Sequence, residues 1–101
     1  MKPKEVKDPP KKVYFSYPEG TTLEGTVIKE VGELVETECY GDYYFVIQLI
    51  DHGNEDMCVR FGYYRKKPGG KKFVWGSQTT FHTEKETANE LIKKAKEKGI
   101  L

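Results

Sequence analysis

Long apolar runs are missing from this sequence. None approaches the roughly 20 residues that a bilayer-spanning helix needs, so a membrane protein of the helical kind is excluded. The opening Met1-Lys2-Pro3-Lys4-Glu5-Val6-Lys7 lacks the apolar centre of a secretion signal, and the expected location is the cytoplasm. Cysteine is nearly absent. Cys39 and Cys58 are the two present, 19 residues apart, with no C-x-x-C pair and no histidine near either in sequence. That spacing excludes the common zinc motifs and points to two reduced thiols in or near a sheet. No cofactor-binding motif is present. Gly69-Gly70 follows Pro68 in a turn rather than opening a helix, which rules out a phosphate-binding glycine loop. Apolar residues are scarce at 37%, and charged residues make up 33%. The 101 residues suit one domain, and this composition calls for a thin one, a sheet covered on one face.

What is present divides into segments. Residues 1–12, with three prolines and five lysines, read as a disordered basic arm, whose removal should leave stability unchanged. The folded domain is expected over 13–101. Residues 13–17 and 25–31 are β-prone, the second ended by Gly32. Residues 33–38 are ambiguous between a strand and a helical turn, with a lean to strand. Residues 43–50 (YYFVIQLI) form the most apolar run and read as a central strand. Residues 57–66 and 72–82 read as a hairpin closed by Pro68-Gly69-Gly70. The last element is a helix. Thr83 is placed as its N-cap, with Glu86 at capping-box spacing. Ala88, Leu91, Ile92 and Ala95 make one apolar stripe, and Gly99 with Ile100 gives a C-terminal cap. With no crossover helix between strands, the fold class is α+β: an antiparallel sheet of about five strands, followed by one amphipathic helix packed on one face.

A three-residue turn at 68–70 puts Tyr63 opposite Trp75, Arg65 opposite Phe73 and Gly62 opposite Gly76. The glycine pair then leaves a bare patch: a seat for the helix, a bend or bulge in the sheet, or a platform for a flat ligand flanked by Arg60, Tyr64 and Gln78.

Charge is strongly segregated although the net value is only +1. Residues 19–56 carry ten acids against Lys29 alone, whereas residues 57–82 carry six cations and no acid. Five of those six cluster at the hairpin tip, and Phe61, Tyr63, Tyr64, Phe73 and Trp75 are interleaved with them. Cations that follow phosphates beside rings that stack on bases are what a single-stranded nucleic-acid site requires. The candidate site is Arg60, Tyr64, Arg65, Lys66, Lys67, Lys71, Lys72 and Trp75. The plainer reading is a solvated edge, where lysines blunt strand pairing, with the rings forming core. The acidic and basic segments also suit self-association across a two-fold axis, so a homodimerising or protein-interaction module without catalysis is the alternative. An enzyme is not expected. His82 would face Asp56 near Cys58, but nothing else converges with them, and a surface ion pair is the simpler account. The acidic run Glu30, Glu33, Glu36, Glu38 and Asp42 lacks calcium-loop spacing and reads as a solvated face, so no metal or other cofactor is expected.

Over roughly residues 43–98 this layout resembles that of small single-strand-binding proteins of the ThermoDBP kind. The likeness is one of element order and composition. No diagnostic motif accompanies it, and it assigns no residue a role.

Overall fold

The computed structural model describes residues 2–16, 18–76 and 83–101. Five strands form one antiparallel sheet in chain order: β1 (Lys11–Ser16), β2 (Thr22–Glu36), β3 (Asp42–Asp51), β4 (Met57–Lys66) and β5 (Val74–Trp75). One helix, α1 (Lys85–Glu97), ends the chain. The α+β class and the single C-terminal helix are as the sequence implies.

β3 is central because its residues are apolar on both sides. Its odd positions, Phe45 and Ile47, are buried with Leu91 and Ala95 of α1 and with Ile100. Its even positions, Tyr44 and Val46, are buried in a second cluster on the opposite face. The sheet is therefore covered on both faces, not one. The cover of the second face comes from a segment expected to be free. Val6 is 3% exposed and packs with Tyr44 and Val46, with Tyr64, Phe73 and Trp75 around them. A Glu5 carboxylate oxygen accepts from the Phe73 N–H at 3.0 Å. Residues 11 and 12, read as arm, begin β1. The disordered-arm expectation fails here for a simple reason: the uncovered rings of β3 and β4 give one valine enough apolar surface to bury against.

β2 runs unbroken through Gly32, which the sequence reading makes a strand end, and it takes residues 33–36 with it. A Cβ at Gly32 would overlap the Tyr44 ring, so the glycine makes room for a ring and does not mark a turn. The register of β2 on β3 shifts between Val27 and Lys29. Such a bulge sharpens the local twist and carries β1 around toward β4. In a flat sheet these strands would lie three spacings apart, roughly 14 Å. Here the Lys11 ammonium donates to the Tyr64 hydroxyl at 3.1 Å, and the Arg60 guanidinium lies 5.1 Å from the Phe15 ring centre.

The β4–β5 hairpin differs from the sequence reading by one residue. Tyr64 pairs with Trp75 and Arg65 with Val74. Gly69 has a positive φ and the Gly70 N–H donates to the Lys67 carbonyl, so the turn holds one residue more than the three assumed. A slip of one exchanges the faces: Gly62 and Gly76 are not partners. A Cβ at Gly62 would strike the Trp75 ring, and one at Gly76 the Tyr63 ring. Each glycine seats an aromatic and neither leaves a bare patch. Gly62→Ala is therefore expected to cost about 1–3 kcal/mol through overpacking and to shift the emission of the single tryptophan. A urea midpoint and an emission spectrum equal to wild type would show that Trp75 does not rest there. The expected continuation of the last strand over 77–82, with Gln78 and His82, lies outside the described residues.

The helix starts one residue later than the sequence reading. Glu84, not Thr83, is the N-cap, and no side chain caps it. Its C-terminus matches the reading. Gly99 takes a positive φ, the Ile100 N–H donates to the Ala95 carbonyl at 2.8 Å, and Ile100 is buried. Lys29 reaches from β2 to the Lys98 carbonyl at 3.2 Å, placing a cation at the negative end of the helix.

Candidate nucleic-acid interface

The face opposite α1 carries Lys11 and Phe15 of β1, Glu30 of β2, Gln48 of β3, Arg60 and Tyr64 of β4, and Trp75 of β5. Its centre is a polar network. The Lys11 ammonium sits 3.0 Å from Glu30, whose other oxygen accepts from Gln48 Nε2 at 2.6 Å. Gln48 Oε1 in turn accepts from Arg60 Nε at 2.8 Å. Gln48 is fully buried and Glu30 is 8% exposed, so each donor and acceptor needs its partner. Lys11 pairs with the carboxylate directly and Arg60 is linked to it through the Gln48 amide, so two cations and one carboxylate leave the network with one positive charge. Burial lowers the Arg60 pKa from its usual value, against the raising influence of Tyr64 and Glu30. A guanidinium nevertheless stays charged.

Rings enclose that charge. Arg60 lies 4.3 Å from the Trp75 ring centre, and Trp75 meets Tyr64 edge to face at 5.1 Å. Lys11 stands 5.4 Å from the Tyr64 centre. Tyr44 beneath them is held in its hydroxyl form, its pKa pushed up to about 12 by burial first and then by Glu30, Glu33 and Tyr64.

Above the network two recesses of about 480 and 330 Å³ adjoin, sharing Lys11, Lys12 and Tyr64. The first extends to Lys7 and Glu5, and through Glu5 to Phe73 at the base of the hairpin tip. The second extends to Tyr14, Arg60 and Trp75. At the tip, Lys67, Lys71 and Lys72 are exposed and make no salt bridge among the described residues. The same holds for Lys7.

Of the eight sequence candidates, Arg60, Tyr64, Trp75 and Lys66 share this face, and Lys67, Lys71 and Lys72 stand at its end. Lys66 is partly engaged, 3.5 Å from Asp42 and 5.5 Å from the Phe73 ring centre. Arg65 lies on the helix face, over Tyr43 at 5.5 Å and donating to the Tyr40 carbonyl at 3.0 Å; it is not part of the groove. Sequence reasoning missed the other wall: Lys7, Lys11, Lys12 and Tyr14. The alternation Lys11-Val13-Phe15 is a strand signal, and the preceding prolines hide it.

Of the arrangement His82, Asp56 and Cys58, His82 lies outside the described residues. Cys58 shares a recess of about 250 Å³ with His52 and Arg60. Its sulfur lies 3.9 Å from Asp56, while His52 Nδ1 faces the Glu24 carbonyl at 3.2 Å. Both cysteines are exposed and free. Among the described residues no cluster could hold a metal ion, and no helix is long and apolar enough to cross a membrane. Comparison of the chain with protein families, with curated proteins and with solved structures finds no match.

Proposed function

We propose that this domain binds single-stranded nucleic acid along the groove between β1 and the β4–β5 hairpin. The observation that carries the reading is the groove itself, in which Lys7, Lys11, Lys12 and Arg60 alternate with Tyr14, Tyr64 and Trp75. A backbone laid along it passes from the free cations of the tip to Lys7 and on to Arg60. Tyr14, 63% exposed, points outward from β1 and offers its ring at the rim of the groove, while Arg60 and Gly62 already occupy Trp75. Each stacked base is worth about 1–3 kcal/mol, so a few suffice for useful affinity.

Titration of the intact chain with mixed-sequence single-stranded oligonucleotides tests this. Trp75 emission is expected to quench, and affinity to fall steeply with salt. Replacing Lys67, Lys71 and Lys72 together by Ala should flatten the salt dependence by about 0.7 in slope for each phosphate no longer neutralised. Absence of quenching and of any mobility shift up to about 100 μM strand, the weak end of non-specific affinity, would sink the proposal.

A second reading is self-association. On the helix face, Met57, Val59 and Phe61 of β4 are 49%, 39% and 47% exposed, a stripe of the kind that interfaces cover. Sedimentation in low and high salt decides it, because apolar pairing persists in salt while pairing of the acidic and basic segments does not.

A further inference from the structure

A cavity of about 580 Å³ lies on the helix face, away from the groove. Its walls are Val35, Tyr40, Tyr43, Phe45 and Tyr63, with Glu84 at the start of α1. The volume is in the range of small-molecule sites. Two of its rings, Tyr43 and Phe45, stack at 5.6 Å with planes 8° apart, and Tyr63 meets both edge-on at 5.7 and 5.9 Å.

Tyr40 is the feature that folding does not explain. Its side chain is 71% exposed, yet its backbone is pinned. The Tyr40 N–H donates to Thr37 Oγ1 at 3.1 Å, its carbonyl accepts from Arg65, and the Thr37 hydroxyl donates to the Gly41 carbonyl. A fixed loop thus holds a large ring out at the cavity rim. The surrounding charge is acidic. Residues 33–42 hold Glu33, Glu36, Glu38 and Asp42 with no Lys or Arg. Glu33 and Asp42 are paired with Lys94 and Lys66, whereas Glu36, Glu38 and Glu84 form no salt bridge among the described residues. Arg65, over Tyr43, is the opposing charge.

Ring faces present negative potential and attract a desolvated cation. An anion would meet the unpaired Glu84 carboxylate in the cavity wall, and a plain ammonium would give up strong hydration to enter. From the lining and the charge we infer that this cavity is an aromatic cage for a methylated ammonium group, with Tyr40 as its outer wall and Glu84 as its counter-charge. The inference stands apart from the nucleic-acid reading, which uses the other face.

Choline and its neutral isostere 3,3-dimethylbutan-1-ol, which differ essentially in charge, are the probes. Each is titrated into the intact chain and followed by NMR shifts of the Tyr40 and Tyr43 rings. Choline is expected to bind at least about tenfold more tightly than the isostere. Tyr40→Ala should weaken choline binding several-fold with an unchanged urea midpoint, because the side chain contributes little buried area. A trimethyl-lysine peptide forms the second arm: tighter binding than choline assigns the cation to a modified protein tail, and equal or weaker binding assigns it to a free small molecule. Equal affinity for choline and the isostere would reduce the site to an apolar hollow and overturn the cage. So would no shift with choline, or wild-type affinity in Tyr40→Ala.

Discussion

Glu30→Ala is expected to destabilise the domain by about 3–5 kcal/mol, the usual cost of breaking a buried ion pair from one side. The side chains of Lys11 and Glu30 are 13% and 3% exposed. Without the carboxylate, Lys11 and Arg60 remain as two half-buried cations with no acid between them, and the Gln48 amide loses the acceptor 2.6 Å away. Nothing else on β2 or β3 can replace it, because the neighbours on this face are Val27, Gly32, Val46 and Ile50. The measurement is a urea midpoint, read with the slope to confirm an unchanged unfolding reaction. A loss below about 1 kcal/mol would mean that water enters and solvates the cations. Glu30→Gln should fall between the two, since it keeps an acceptor for Gln48 but removes the charge.

Removal of residues 1–10 is expected to cost about 2.5–4 kcal/mol. Burying Val6 contributes about 1.5–3 kcal/mol, and the bond from Phe73 to Glu5 adds about 1 kcal/mol. For a domain of this size each kcal/mol lowers the melting temperature by about 4–8 °C, so the loss is large on a calorimetric scan. Val6→Asp in the full chain should reproduce most of it by placing an unpaired carboxylate against Tyr44 and Val46. A melting temperature equal to wild type in both would show that the segment is a tail after all. Strand binding supplies a separate readout. If the groove is the site, truncation weakens it beyond the loss of charge, because Lys7 leaves and the position of Lys11 is no longer fixed.

The two results bear on how the site is built. Glu30 holds Lys11 from below and Val6 carries Lys7 above it, so the wall formed by the N-terminal segment depends on both. That dependence is invisible in the linear chain. Pro9-Pro10 and five lysines in the first twelve residues resemble a solvated tail. A single valine is a weak sequence signal even where its burial energy is considerable.

Periodicity determined much of the rest. The apolar run 43–50 marked the central strand, although the low apolar content pointed to cover on one face only and the structure covers both. The stripe Leu91–Ala95, with Gly99 behind it, fixed the helix and its end. Absence of crossover segments fixed antiparallel order. The acid-free hairpin with its rings was legible too, and seven of its eight candidates fall on one face or at the tip. Only the tertiary structure decided what depends on one residue of register or on pairings far apart in sequence. A turn longer by one residue exchanged the faces of β4 and β5. It seated Trp75 on Gly62 and left Arg65 on the far side. The bulge after Val27 coiled the sheet and brought Lys11 to Tyr64, 53 positions away. Local patterns specify which residues alternate; the side on which they meet is set by turn geometry and by the burial of rings that have no other cover.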